Sequence, residues 1–435
     1  MTHAPLTARR ARAVLLLLTF TRWFPGGLII GVVTLLALER HMSLAQIGVI
    51  FSMQGFVVLG LELPTGGFAD ALGRRPVLVA SAVVALLSAL LFITAHTFTA
   101  FVVAMLLQGV FRALDSGPLE SWYVDTAHAD DPTTRVEDAL SRAGVVLGLA
   151  IASGALLSGG LIAWHPVRSM TALEFPYWCA IGFLVLHLVA VSLLVREPRT
   201  HVDSTGFRRA LLSVRQAPAV VVDGIRTLRT SRVLLALVLV EVFWSIGMIA
   251  FETLMPVRLA EVAGGETRAG ALMGPVSAAA WGLFAVGSAA AGLTSRRVGV
   301  GWTALVARVL NGGFVVVMGL MAGPVGLVTA FLITYALHGS GGPVHSTLLH
   351  RQAQPRNRTT VLSMNSMVAG GCYSLGLLVL GPLAEHAGTT TAIIAAGAFS
   401  ILGAALYLPA IRQERTSTDP TAEDTAEPTP ATTPA

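Results

Sequence analysis

Apolar residues in this chain come in long blocks, and the polar stretches between them are short and rich in arginine. A bilayer core is crossed by a helix of about 20 apolar residues. The blocks predict twelve such helices, at about residues 13–38, 45–69, 77–95, 98–121, 142–164, 175–195, 233–256, 270–294, 302–322, 325–347, 363–384 and 389–410. The first block follows Arg9, Arg10 and Arg12 and opens like a signal peptide. Its apolar pattern runs on to Leu38, and no small-residue cleavage site follows Phe20, so it reads as a transmembrane helix that stays attached.

The long polar stretch at 196–232 divides the blocks into six and six. Within it, Phe207, Leu211 and Val214 share one helical face, and Val221, Ile225 and Leu228 share another, with Pro218 between the two sets. Arginines fill much of the rest, as in helices lying on a membrane surface. The expected organisation is an N-terminal six-helix bundle (1–195), a cytoplasmic linker with amphipathic helices (196–232), a C-terminal six-helix bundle (233–411) and a tail (412–435). From about Thr416 the tail is Thr-, Pro-, Ala- and acid-rich, and disorder is expected there.

Composition sharpens this reading. The 435 residues are 54% hydrophobic and 12% charged, with mean hydropathy +0.72. A soluble domain carries about 25% charged residues. All 29 basic residues are arginine. Without lysine there is no P-loop GK[ST] and no Schiff-base chemistry. A pI near 9.8 would suggest nucleic acid in a soluble chain, but here it follows from membrane topology, and no nucleic-acid partner is expected. With the N-terminus placed inside, twenty-two arginines fall in inner segments, four in outer segments and three within spans. That bias puts both termini in the cytoplasm. Cys179 and Cys372 lie in apolar runs and read as small buried hydrophobes. There is no zinc-like His/Cys spacing and no nucleophile with a base on one face. The sequence therefore assigns no catalytic, cofactor-binding or metal-binding residue and does not read as an enzyme.

The two halves repeat. Gly66 and Gly292, and again Gly73 and Gly299, are 226 residues apart. Gly117-Pro118 matches Gly342-Pro343, and Val136 matches Val361, both at 225. Duplicated six-helix units are a transporter architecture with the substrate site between the halves.

Gly66-x-x-x-Asp70-x-x-Gly73-Arg74-Arg75 resembles the loop 2–3 signature of the major facilitator superfamily. The helix-4 segment LLQGVFRALDSGPLESWYVD partly resembles that family's helix-4 arginine motif, with Gln108-Gly109 before Arg112 rather than after it. ELPTG at 62–66 and RTTVLS at 358–363 are similar to pieces of drug-exporter-like members. Two positions depart from the pattern: Arg296 stands where the second loop copy would carry aspartate, and Ala155 where the helix-5 export motif would carry proline. The resemblance implies an all-α membrane fold of twelve transmembrane helices in two six-helix pseudo-repeats. It also implies a conformational latch formed by Gly66, Asp70, Gly73, Arg74, Arg75 and Asp125. In that latch Asp70 faces the start of helix 11 and Arg74 reaches Asp125.

Charges inside a bilayer cost about 2.5–3.5 kcal/mol each and need a reason. Arg22 and Glu62 lie at matching depths on neighbouring helices and are expected to pair, either as a static contact or with Glu62 as a proton site. Arg112 and Asp115 are three apart on helix 4 and can meet on one face. Glu241 and Glu252 share a face of helix 7, Glu241 as a coupling acid or a polar contact near the inner surface, Glu252 as a further substrate- or proton-pathway candidate or as a residue wetted near the outer end. His338 and His345 share a face of helix 10, where they either relay protons or make structural hydrogen bonds. Arg308 is expected to snorkel from helix 9.

These features point to a secondary transporter in the cell inner (plasma) membrane, working by alternating access. The leading expectation is proton-coupled efflux of an amphipathic small molecule by a monomer, with substrate, protons and lipid as partners. Nutrient uptake or facilitated diffusion is the alternative. A transporter-shaped membrane ligand sensor is an alternative of another class.

Overall fold

The computed structural model describes residues 6–196, 222, 224–229, 231–353 and 358–418, with the side chains of 62–71 and of 359 outside the description. Among the described residues every element is helical, and twelve helices are long and apolar enough to cross a membrane. They are α1 (Ala8–Glu39), α2 (Leu44–Leu72), α3 (Arg74–Thr94), α4 (Phe98–Asp130), α5 (Glu137–Trp164) and α6 (Glu174–Leu194). The second set is α7 (Arg232–Ala263), α8 (Glu266–Val298), α9 (Val300–Leu320), α10 (Pro324–Gln352), α11 (Arg358–Ala387) and α12 (Thr389–Thr416), whose final turns reach Thr418. Twelve crossings leave the two described chain ends on one end of the bundle.

Several helices carry defects where the sequence asks for them. α2 starts with a capping box: the Ser43 hydroxyl accepts from Gln46 N–H, and Gln46 answers at the Ser43 N–H. α4 breaks at Ser116-Gly117, where Gly117 takes φ +90°, and restarts at Pro118, a residue suited to a first helical turn. α7 contains a π-helical turn at Ala250–Leu254. The repeat is visible in the backbone: Gly73 has φ 89° and ψ 156°, and Gly299 has φ 91° and ψ 155°. It fails at the next match, because α10 runs unbroken through Gly342 and Pro343 while α4 breaks at Gly117.

Most of the linker expectation falls on residues outside the description. In the described piece, Leu228 is buried and Gly224 packs on Met364 of α11, while Ile225 is exposed. The tail expectation is corrected for residues 412–418, which continue α12 as helix. The polar contacts made there, described below, hold that turn; residues 419–435 lie outside the description.

Within the first half α1 packs on α5 and α6, and α4 on α2 and α3. In the second, α10 packs on α8 and α9, and α12 on α7 and α9. The halves meet along α2 with α11 and along α5 with α8. Small residues make this approach close, as in bilayer helix pairs. A Cβ on Gly48 would sit 2.4 Å from the Leu377 carbonyl oxygen, and one on Gly274 would sit 2.6 Å from the Gly159 Cα. At the end opposite the termini, the Ala45 N–H donates to Glu385 at 2.9 Å and ties α2 to α11.

These contacts set a first expectation. Gly274→Val overpacks a backbone-to-backbone contact and should cost about 1–3 kcal/mol, read as a lower melting temperature in detergent. Gly160→Val, at a glycine whose Cβ would meet nothing within 4 Å, should leave melting unchanged. Equal melting of the two variants would remove the α5/α8 contact from the account.

Candidate functional site

A cavity of about 540 Å³ opens between the halves, walled by α1, α2, α3, α4, α6, α7 and α11. Arg22, Gln54, Arg112, Glu252, Tyr373 and Ser374 bring polar groups to its surface, and Phe51, Phe92 and Phe111 bring apolar ones. Such a mixed lining suits a molecule with an apolar body and a few polar groups.

On the first-half wall, Arg22 Nε donates to Asp115 Oδ2 at 2.6 Å. The guanidinium carbon also lies 4.2 Å from the Phe111 ring centroid and 4.7 Å from that of Trp23. The described partner of Arg22 is therefore Asp115, and the expected Arg22–Glu62 contact is not among those described; the Glu62 side chain lies outside the description. Asp115 is the last residue before the α4 break, and it turns to α1 rather than back along its own helix to Arg112. Arg112 lines the cavity beside this pair. Behind Arg22, Thr21 and His187 Nδ1 share a hydrogen bond of 2.9 Å.

On the second-half wall stands Glu252, the acid expected either on the substrate or proton pathway or in water near the outer end. It lines the cavity from within the π-helical turn, and the Tyr335 hydroxyl of α10 donates to its Oε1 at 2.5 Å. Among the described residues no cation pairs with it. A π turn adds one residue to a helical turn and re-aims the side chains around it, a device common at functional sites. Next to Glu252, the hydroxyls of Thr253 and Tyr373 share a hydrogen bond of 2.8 Å.

Glu241 sits deeper in the second half and does not line the cavity. His345 Nε2 lies 3.0 Å from Glu241 Oε1, which also accepts from Asn365 Nδ2 at 3.1 Å. His345 Nδ1 meets the Tyr407 hydroxyl at 3.0 Å. Between this cluster and Glu252, His338 stacks on Trp244 with ring centroids 5.3 Å apart. The Arg308 guanidinium covers the other part of the seam, 5.2 Å from the Trp244 centroid. Arg308 is 6% exposed, so it is buried among α7, α9 and α10 rather than snorkelling to the surface. Among the described residues, buried Glu241 Oε2, Ser245 Oγ, Arg308 Nε and His338 Nδ1 have no hydrogen-bond partner along this seam.

At the terminus-side end, Gly73 turns the chain between α2 and α3 with positive φ, which glycine adopts without a Cβ penalty. Arg74 pairs with Asp125 of α4, and Arg75 Nη2 donates to the Ser192 carbonyl of α6 at 2.8 Å. The side chains of Gly66 and Asp70 fall outside the description. Tyr335, Asn365 and Tyr407, which hold the acids, were not singled out by the sequence. For Tyr335 the signal is a polar group in an apolar helix three residues from His338; Asn365 and Tyr407 have no histidine at such a spacing.

Two six-helix halves around a mixed polar cavity define a membrane carrier. The model described as Major Facilitator Superfamily matches residues 15–342, and the chain belongs to that transporter family. The fold is similar to the nucleoside transporter NupG, with 12% identity, a TM-score of 0.73, and coverage of 92% of this chain and 99% of that one. It is also similar to a bacterial homologue of the human lysosomal transporter Spinster, solved inward-facing and occupied: 15% identity, TM-score 0.71, coverage 92% and 96%. A POT family transporter in complex with 5-aminolevulinic acid aligns at 14% identity and TM-score 0.70, over 94% of this chain and 97% of that one. No curated protein matches the sequence.

Proposed function

We propose that this chain is a proton-coupled secondary transporter that exports an amphipathic compound bearing a cationic nitrogen. The observation that carries the reading is Glu252: an acid on the cavity wall, hydrogen-bonded by neutral Tyr335 and without a described cationic partner. A carboxylate in a membrane interior needs a proton or a cation. One site that takes either makes proton entry and cation exit alternatives, and this exclusivity is the coupling. The resemblance to drug-exporter-like members supports the outward direction.

The seam from Glu252 through Tyr335, His338 and Trp244 to the Glu241–His345 pair supplies titratable groups and unpartnered polar atoms along α7 and α10. It is the favoured route for the proton between the cavity and the terminus-side end, which the arginine bias assigns to the cytoplasm. The Gly66, Asp70, Gly73, Arg74, Arg75 and Asp125 loop serves as the latch of the first half. The membrane is the inner (plasma) membrane.

Proton release tests the reading directly. A hydrophobic quaternary ammonium added to the weakly buffered, detergent-solubilised protein should release protons, whereas its uncharged carbon isostere should release none. The ammonium should release none from Glu252→Gln. Equal release by wild type and Glu252→Gln, or no release by wild type, would overturn the assignment.

A further inference from the structure

The 225-residue offset that relates Gly117 to Gly342 and Val136 to Val361 relates Asp125, near the end of α4, to His350, with Arg351 beside it near the end of α10. The 226-residue offset that relates Gly73 to Gly299 relates Asp70 to Arg296 and Arg74 to Val300. The second half therefore has the basic pair His350-Arg351 where the first has the acid of its ion pair, and valine where the first has the arginine. An Arg74–Asp125 type of contact cannot form there.

The last turns of α12 fill that gap. Glu414 Oε1 accepts from Arg351 Nη1 at 2.5 Å, and Glu414 Oε2 accepts from the Gly301 N–H at 2.9 Å. Gly301 lies in the first turn of α9, whose positive dipole end favours a carboxylate. Gln352 Nε2 donates to Gln413 Oε1 at 2.7 Å, and the Arg415 guanidinium lies 5.6 Å from the Trp302 ring centroid. Ile411 is buried beneath them, and a Cβ on Gly301 would stand 2.7 Å from it. Three consecutive side chains thus clip α12 to the start of α9 and the end of α10.

We propose that this terminal turn, within Leu408–Thr418, is the latch of the second half. It replaces the loop contact of the first half with inverted charge: the α10 end supplies the cation, and α12 supplies the acid. It makes α9, α10 and α12 move as one body at the terminus-side end.

The experiment uses the full chain in detergent micelles, with Cys179 and Cys372 replaced by serine. Spin labels at His128→Cys and His350→Cys, both exposed, report the distance between the α4 and α10 ends. Amide exchange reports the first turn of α9. Glu414→Ala should speed exchange at Gly301 about tenfold, because a charge-assisted hydrogen bond is lost. Glu414→Gln keeps an acceptor for Gly301 but drops the ion pair, so exchange should stay slow while the label distribution broadens. Adding Val300→Arg and Arg351→Asp to Glu414→Gln offers an arginine–aspartate pair between the start of α9 and the end of α10 and should narrow the distribution again. Deleting 419–435 should change neither reading. A Glu414→Gln distribution as narrow as wild type overturns the proposal even if the triple variant does not fold. So does a folded triple variant as broad as the single.

Discussion

Glu252→Gln should reduce gradient-driven accumulation of a cationic amphiphile in proteoliposomes to the level of protein-free vesicles. The change is nearly isosteric. Glutamine keeps a carbonyl oxygen for the Tyr335 hydroxyl, so the hydrogen bond at Oε1 has a substitute and folding is undisturbed. What is lost is the ability to bind and release a proton and to neutralise a cation. Removing one partner of a desolvated charge pair costs about 2–5 kcal/mol, so affinity for the quaternary ammonium should fall about thirtyfold or more. Affinity for its neutral isostere should stay within about twofold, since no charge is involved. Tyr335→Phe makes the control for binding: it removes a hydrogen bond of about 1 kcal/mol but keeps the carboxylate, so affinity for the quaternary ammonium should stay within about fivefold. Full accumulation by Glu252→Gln would move the coupling site elsewhere, with Glu241 and Glu62 the next acids to test.

The second large effect concerns Arg22 and Asp115. Asp115→Leu leaves the guanidinium among Phe111 and Trp23 without its anion. Stranding one member of a buried pair costs about 3–5 kcal/mol. The side chains of Arg22 and Asp115 are 13% and 17% exposed, so the low end of that range applies. Arg22→Met combined with Asp115→Leu should recover much of the loss, because removing both charges leaves nothing uncompensated. Detergent melting temperatures decide it: strictly additive losses would show that the two side chains do not depend on each other.

The sequence made the scaffold legible because a bilayer enforces it. Length and apolarity alone define a span, so the twelve helices, their six-and-six division and the equivalence of Gly73 with Gly299 could be read before any coordinates. Arg74 with Asp125 was legible as well, through a loop signature of fixed spacing. The cavity charges were not. Asp115 lies 93 positions from Arg22, and only the break at Gly117 aims it at α1. Glu252 could be read as a cavity acid or as a wet one, because the π turn that sets its aim leaves no hydrophobic periodicity to detect. Arg308 looked like a surface anchor because its depth was counted along one helix. Its aromatic cover comes from α7. Each miss involves a partner on another helix, which single-chain periodicity does not encode.

The seams between the halves have a mechanical consequence. Where Gly48 meets Leu377 and Gly274 meets Gly159, main chain bears on main chain. Bare backbone has no rotamers to unlock when one surface slides over another, and every amide there is already satisfied inside its own helix. Such a junction acts as a low-friction bearing, able to change its tilt without first dismantling an interlocked set of side chains. The friction in this molecule then resides at its charged clasps, and the rate of rocking should follow the lifetimes of those few contacts.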